Sequence, residues 1–96
     1  MQKQISDIND LVLYRERLGY TQKHVTLLLG TRSTTFVSEI ELGHRLPTLK
    51  TAIKLSAIYR APIEHLFTAV YRAIREEVRA REERLKGTAR TVEDEK

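Results

Sequence analysis

The polar and charged side chains of this chain do not have the spacing of a catalytic or metal-binding site, and their main chemistry is hydrogen bonding. The three histidines, His24, His44 and His65, are widely separated and lack the spacing of metal ligands, so we expect no metal site. The chain has no cysteine, which excludes disulfides and thiolate-bound zinc. Neighbouring glutamates in the last third alternate with arginines, as on a solvated helix face. We therefore predict no catalytic group, no enzyme activity and no cofactor.

The hydrogen-bonding residues with the most informative spacing lie in residues 21–43, where two short amphipathic helices are predicted. Thr21 can cap the first helix, and apolar residues recur at helical spacing until Gly30 ends it. Gly43 ends the second helix. Its cap is one of three consecutive residues, Ser33, Thr34 or Thr35. Helices this short need flanking helices to bury their apolar faces, and a helix of this size fits the major groove of DNA.

Further residues extend this pattern on both sides. They are Arg15, Gly19, Gln22, Val25, Leu29, residues 37–49, Leu55 and residues 62–67. In order and spacing they resemble the Cro-like and phage-repressor-like helix-turn-helix DNA-binding family, of the xenobiotic-response-element type. The resemblance implies an all-α, five-helix phage-repressor-like domain that usually ends near Phe67. In this chain the apolar spacing beyond Phe67 predicts that the fifth helix is extended at the C-terminus. The chain has one residue more than is usual between Gly30 and Gly43, which we place in the turn at residues 31–33, and the register of base contacts depends on that placement.

The resemblance also implies that the helix over residues 34–42 enters the major groove. Residues at its start and on its outer side are the candidates for base reading, namely Ser33, Thr34, Thr35, Ser38 and Glu39. Residues at the first turn of the motif and on either side of this recognition helix are the candidates for phosphate contacts, namely Thr21, Gln22, Lys23, Arg32, His44 and Arg45. Glu39 either accepts from a cytosine amino group or is an ordinary solvated glutamate. Phe36 is expected in the core rather than on a thymine methyl group.

Two charged residues lie on helix faces that are expected to be buried. Arg15 lies on the apolar stripe of a first helix, and Glu41 lies one turn after Val37 on the inward face of its helix. In the resembling family these two positions form a structural ion pair. We therefore expect Arg15 and Glu41 to pair, and to stabilise the fold rather than catalyse a reaction.

Two more helices complete the core of the predicted domain. The first runs from a cap at Ser6 or Asp7 to about Leu18, and the fourth covers residues 49–59 behind a cap at Thr48. The apolar face of this fourth helix is predicted to contain Leu49, Ala52, Ile53, Leu55, Ser56 and Tyr59.

A fifth helix is predicted to extend the domain. Pro62 fits its first turn, and apolar residues at helical spacing carry it to Leu85 or Lys86, before Gly87. The chain then divides into a helix-turn-helix domain over residues 1–67, a helical extension over residues 68–87 and a disordered tail over residues 88–96.

The extension carries apolar residues at alternating four- and three-residue spacing, interrupted at Arg81. The candidates for a dimer contact are Phe67, Tyr71, Ile74 and Val78. Two uses remain open: the helix folds back over Leu27 and Leu28, or it pairs with the same helix of a second copy. We favour the dimer, because paired half-sites require a two-fold partner.

The charge balance is compatible with a nucleic-acid partner without establishing one. The chain has seventeen Lys and Arg residues and thirteen Asp and Glu residues, which gives a net charge of +4. No apolar run is long enough to cross a bilayer and the N-terminus lacks a signal-peptide pattern, so we expect no membrane contact. The expected location is the cytoplasm, in association with a prokaryotic or phage nucleoid. The expected function is sequence-specific binding of double-stranded DNA by a transcriptional regulator, as a homodimer. The alternative is a protein-interaction module, such as an antitoxin that binds a protein partner through the same scaffold.

Overall fold

The computed structural model describes residues 9–94, with side chains up to residue 87. This part of the chain contains no strand, so the predicted all-α class is confirmed. It forms six helices: α1 (Leu11–Arg17), α2 (Gln22–Leu29), α3 (Thr34–Glu41), α4 (Leu49–Tyr59), α5 (Ile63–Leu66) and α6 (Thr68–Asp94). Helices α1 to α5 enclose one hydrophobic core, whose buried members are Leu11, Val25, Leu29, Val37, Ile40, Leu55, Tyr59, Ala61, Leu66 and Phe67.

The ends of α2 and α3 follow the predicted capping chemistry. Thr21 Oγ1 accepts from the His24 amide at 3.1 Å, while His24 Nδ1 accepts from the Thr21 amide at 2.9 Å, which completes a capping box. Gly30 ends α2 with φ 81°. Of the three possible caps for α3, Ser33 is the one used, and its Oγ accepts from the Thr35 amide at 3.1 Å.

The first helix begins later than predicted. Ser6 and Asp7 lie outside the described residues, and α1 starts only at Leu11. The cause is Asn9, which is 3 % exposed. Its Oδ1 accepts from the Leu11 amide at 3.1 Å and its Nδ2 donates to the Ile40 carbonyl at 3.0 Å. Asn9 therefore joins the start of α1 to the end of α3, an arrangement that a helical backbone at this residue would not allow.

The fourth helix has the predicted bounds but a narrower apolar face. Thr48 caps it, and Arg60 ends it in a left-handed conformation with φ 54°. Leu49 and Ile53, predicted to face the core, are 73 % and 54 % exposed. Lys54 faces α2 instead, and its Nζ donates to the Leu29 carbonyl at 2.9 Å, which satisfies one of the unpaired carbonyls at the end of that helix.

The prediction of a single extended fifth helix is wrong, because a break at Phe67 divides this segment into α5 and α6. Phe67 leaves the helical region with φ −123° and ψ 56°. The break lets the adjacent Leu66 and Phe67 both enter the core, at 0 % and 6 % exposure. Thr68 Oγ1 then donates to Asp10 Oδ2 at 2.8 Å, which fixes the start of α6 against the start of α1.

Helix α6 also continues beyond the predicted end at Lys86. Its backbone is helical to Asp94 and so enters the segment over residues 88–96 for which composition predicts disorder. A solvent-exposed glycine costs a helix only about 1 kcal/mol, and no proline follows Gly87 to stop it. The last two residues lie outside the described part of the chain, and the division into domain, extension and tail stays a prediction.

Candidate nucleic-acid interface

Helix α3 presents one face to the core and another to solvent. Val37, Ile40 and Glu41 are buried at 2–3 % exposure. On the other side Ser33, Thr34 and Thr35 are exposed, while Ser38 and Glu39 are half-buried at its edges. Three of the five candidate base-reading residues are therefore exposed at the start of α3, and the other two are partly exposed further along it. Hydroxyl groups on such a surface can approach base edges closely because their side chains are short.

A buried hydrogen-bond network holds α3 against α1 and α2. Arg15 Nε and Nη2 donate to Glu41 Oε2 and Oε1 at 2.7 and 3.3 Å, a forked pairing. Arg15 Nη1 also donates to the Tyr20 carbonyl at 3.1 Å, and Gln22 Nε2 donates to Glu41 Oε1 at 2.8 Å. The hydrogen bond to Glu41 raises the pKa of the Arg15 guanidinium above its ordinary value, so the guanidinium stays charged. Three helices are thereby joined at one carboxylate.

Tyr59 is buried close to this ion pair. Burial raises the pKa of its hydroxyl above the ordinary value of 10.0, and the negative charge of Glu41 adds to the shift. The folded protein therefore holds the Tyr59 proton more tightly than the unfolded chain does. The resulting stabilisation is complete below pH 10 and is lost as the pH rises above it.

We expect the free energy of unfolding to fall between about pH 10 and pH 12, and to fall less in Tyr59→Phe, which has no proton to lose. Urea unfolding at a series of pH values measures how the free energy of unfolding changes with pH in the parent and in Tyr59→Phe. Tyr71→Phe is the matched control, because Tyr71 is 47 % exposed on α6. Equal alkaline slopes for Tyr59→Phe and the parent would contradict the assignment.

The candidate phosphate-contacting residues flank the exposed face of α3. Thr21, Lys23, Arg32, His44 and Arg45 are exposed and Gln22 is half-buried. Thr21, Gln22 and Lys23 lie at the N-terminus of α2, where unpaired backbone amides favour an anion. Two of the hydroxyls act as caps, since those of Thr21 and Ser33 accept from backbone amides, but each keeps its own proton to donate.

The geometry of α2 and α3 agrees with a comparison of the sequence with known families. The sequence model of a helix-turn-helix family matches residues 11–66, more than half of the chain. The chain belongs to the Cro/C1-type helix-turn-helix family. This is a family of DNA-binding transcriptional regulators and not typically of enzymes. No curated protein matches the chain significantly. Across residues 9–94, no helix combines the length and apolar character needed to cross a membrane.

In this helix-turn-helix, an ion pair joins a candidate base-reading residue to a candidate phosphate-contacting one. Glu39 Oε1 accepts from Arg45 Nε and Nη2, both at 3.0 Å. The Arg45 guanidinium also lies 5.3 Å from the centroid of the Phe36 ring, close enough for a cation–π contact. Phe36 itself is half-buried and packs against the core. Sequence reasoning missed this pair because the two residues are on opposite sides of the turn that ends the recognition helix.

Of the four candidates for a dimer contact, three lie on the exposed surface of α6 and one does not. Phe67 is a core residue at 6 % exposure, because the break in the helix turns it inward. Tyr71, Ile74 and Val78 are 47 %, 52 % and 48 % exposed. The first turns of α6 border an apolar groove of about 240 Å³. Its lining residues are Leu46, Pro47, Ala52, Ile63, Phe67, Val70, Tyr71 and Ile74.

The α6 helix does not fold back over the exposed leucines of α2. Leu27 and Leu28 remain 65 % and 53 % exposed, although the sequence allowed α6 to cover them. From Tyr71 to Gly87 every residue of α6 is exposed, and the described chain extends 61 Å along its longest axis. The apolar residues of α6 from Tyr71 onward are therefore exposed within one copy of the protein.

Proposed function

We propose that the protein binds double-stranded DNA in a sequence-specific manner and regulates transcription by inserting α3 into the major groove. The observation that carries this proposal is the exposed, hydroxyl-rich surface at the start of α3, which includes Thr34 and Thr35. The buried pairing of Arg15 and Glu41 fixes the opposite face, so little conformational freedom is lost when α3 binds. Membership of a DNA-binding regulatory family supports the same function.

The flanking residues supply contacts to the DNA backbone. Lys23 and Arg32 provide exposed positive charge near the N-terminal ends of α2 and α3. Gln22 has a second Nε2–H beyond the one it gives to Glu41, which can donate to a phosphate. The pairing with Arg45 also neutralises the carboxylate of Glu39, which would otherwise be repelled by phosphates near the groove.

Binding to a random duplex over a salt series tests the proposal simply. Contacts between cationic side chains and phosphates release counterions, so the affinity is expected to fall steeply and linearly with salt on logarithmic axes. A protein that binds no duplex in a salt-dependent way would disprove the proposed function.

Arg45→Ala and Thr35→Ala are expected to change DNA binding in different ways. Arg45→Ala should weaken binding to all sequences alike and reduce the salt slope by about one unit, because a phosphate contact is lost and Glu39 loses its counterion. Thr35→Ala should alter the preferred base at one position, by about 1–3 kcal/mol if the contact is direct.

Titrations against a panel of single-base variants of a selected site separate the two effects. Arg72→Ala, which removes an exposed cation from α6, is the control and should leave binding unchanged. Gln22→Ala should also weaken binding to all sequences, but it is a less direct test since it removes a hydrogen bond to Glu41. A uniform loss for Thr35→Ala with no change in base preference would contradict the base-reading assignment.

The active form in this proposal is a homodimer. Two recognition helices related by a two-fold axis match paired half-sites on one face of the duplex. The uncovered apolar residues of α6, Tyr71, Ile74 and Val78, supply a surface for the second copy. Their exposure in a single copy supports pairing through α6.

A protein-interaction role of the kind seen in antitoxins is the second candidate function. The observation that favours it is the exposure of Leu27 and Leu28, at 65 % and 53 %, on a helix whose other face is buried. A protein partner would cover these leucines. Salt-sensitive DNA binding that survives Leu27→Gln and Leu28→Gln would show that these leucines are not needed for DNA and leave them available to a protein partner.

A further inference from the structure

The seam on α6, defined as Tyr71, Ile74, Val78, Arg81 and Leu85, is a largely apolar stripe that the rest of the described chain leaves exposed. Its four apolar members are between 47 % and 67 % exposed. Their spacing is that of the a and d positions of a coiled coil, with Arg81 at one d position. A charged helix without tertiary contacts is only marginally stable in water. A second copy of α6 matches this spacing, and the inference rests on the homodimer of the proposed function.

A parallel pair of α6 helices brings like charges together. In a parallel coiled coil each seam residue faces its own counterpart, so Arg81 would lie opposite Arg81 of the second copy. With Val78 at an a position and Arg81 at a d position, Glu77 is at a g position and Glu82 at the following e position. In a parallel pair these g and e positions face each other, which places Glu77 beside Glu82 of the second copy. The contact between the arginines occurs once, across the two-fold axis, and the contact between the glutamates occurs twice, so a parallel pair has three contacts between like charges.

An antiparallel pair removes both conflicts in one register. When Ile74 faces Leu85 of the second copy, Val78 faces Arg81, and the two arginines of the seam no longer meet. Arg81 Nη2 already donates to Glu77 Oε2 of its own chain at 2.9 Å, so its aliphatic stem is left to cover Val78. In an antiparallel pair the e positions, which follow the d positions, face each other. Arg75 and Glu82 are both at e positions, so Arg75 lies opposite Glu82 of the second copy.

From this charge pattern we propose that α6 pairs antiparallel with α6 of a second copy, in the register that places Ile74 opposite Leu85. The neighbouring registers do not share this complementarity. One heptad away, Ile74 faces Val78, but Arg75 then faces Arg75 and Glu77 faces Glu77 of the second copy. The charges alongside the seam therefore select both the orientation and the register.

The proposed register also sets the separation between the starts of the two α6 helices. The two-fold axis passes between Arg79 and Ala80, so the two α6 helices begin at Thr68 roughly 35 Å apart, at 1.5 Å per residue. This separation is comparable to one helical turn of B-form DNA, about 34–36 Å, and the two DNA-binding domains lie at opposite ends of the pair. A parallel pair would instead place the two domains side by side at the same end of the coiled coil.

Exchanging the charges of Arg75 and Glu82 tests the orientation. In the antiparallel pair, Arg75→Glu and Glu82→Arg each turn two attractive contacts into repulsive ones, and each should raise the dimer dissociation constant about tenfold or more. The double variant should restore the parent value. In a parallel pair Glu82→Arg would strengthen the dimer, because Glu77 of the second copy then faces an arginine. Arg72→Glu and Glu83→Arg, on the outer face of α6, are the matched controls for sedimentation measurements.

Disulfide trapping gives an independent answer, since the chain has no cysteine of its own. Full-length Ile74→Cys and Leu85→Cys proteins, distinguished by mass, are mixed and oxidised gently. The antiparallel register predicts disulfides between the two variants, whereas a parallel pair gives disulfides only between identical variants. Disulfides between identical variants, or none at all, overturn the proposal. If the predicted disulfides do not form but the same proteins bind DNA in a salt-sensitive way, the antiparallel orientation is wrong and the proposed function still stands.

Discussion

Replacing Glu41 by glutamine is expected to lower the free energy of unfolding by about 3–5 kcal/mol, because Arg15 is then left without its counterion. The side chains of Arg15 and Glu41 are only 15 % and 4 % exposed, so water cannot replace the lost carboxylate. The amide of glutamine also presents donors where Arg15 and Gln22 both donate. A small domain has only about 5–15 kcal/mol of stability, and this one change removes a large share of it.

Thermal and urea unfolding of Glu41→Gln and the parent measure this loss. Glu39→Gln is the matched control on the same helix, and removing its exposed pair with Arg45 should cost no more than about 1 kcal/mol. The double variant Arg15→Met with Glu41→Leu should be more stable than Glu41→Gln, since no charge remains stranded. A melt of Glu41→Gln close to that of the parent would show that the pair does not hold α3 in place.

Replacing the seam residues Ile74, Val78 and Leu85 by glutamine is expected to make the protein monomeric and to weaken its binding to paired half-sites at least about 100-fold. Two linked domains bind paired sites with a high effective concentration, and this advantage disappears when the copies separate. Glutamine keeps a high helix propensity, so α6 loses its apolar stripe without losing its helical tendency. Binding to a duplex with a single half-site should stay at the parent value.

Sedimentation measures the loss of the dimer, and titration of one-site and two-site duplexes measures the loss of affinity. Ala73→Gln with Ala80→Gln, on the outer face of α6, is the control and should leave both unchanged. A parent protein that sediments as a monomer at every accessible concentration would contradict dimerisation through α6.

Features determined by a few neighbouring residues could be predicted from the sequence. The caps at Thr21 and Thr48 and the positive-φ glycines at Gly30 and Gly43 lie where their local chemistry requires them. The bounds of α4 follow from the same short-range signals. Membership of the helix-turn-helix family was also predictable, since it depends on the order and spacing of apolar residues and glycines.

Features determined by contacts between distant residues could not be predicted in this way. The break at Phe67 depends on the bond from Thr68 to Asp10 and on space for Phe67 in the core, neither of which leaves a periodic signal. Asn9 delays the start of α1 by donating to a carbonyl more than thirty residues away. The pairing of Glu39 with Arg45 crosses a turn whose geometry is not contained in helical spacing.

Selection of bound duplexes from a random pool with the full-length protein tests whether α3 binds duplex DNA in a sequence-specific manner. We predict enrichment of a two-fold symmetric motif whose half-sites are about one helical turn apart, and a change in that motif when Thr35 is replaced by alanine. A pool that remains unenriched after repeated rounds at low salt, or one whose motif is the same for the parent and Thr35→Ala, would contradict the account.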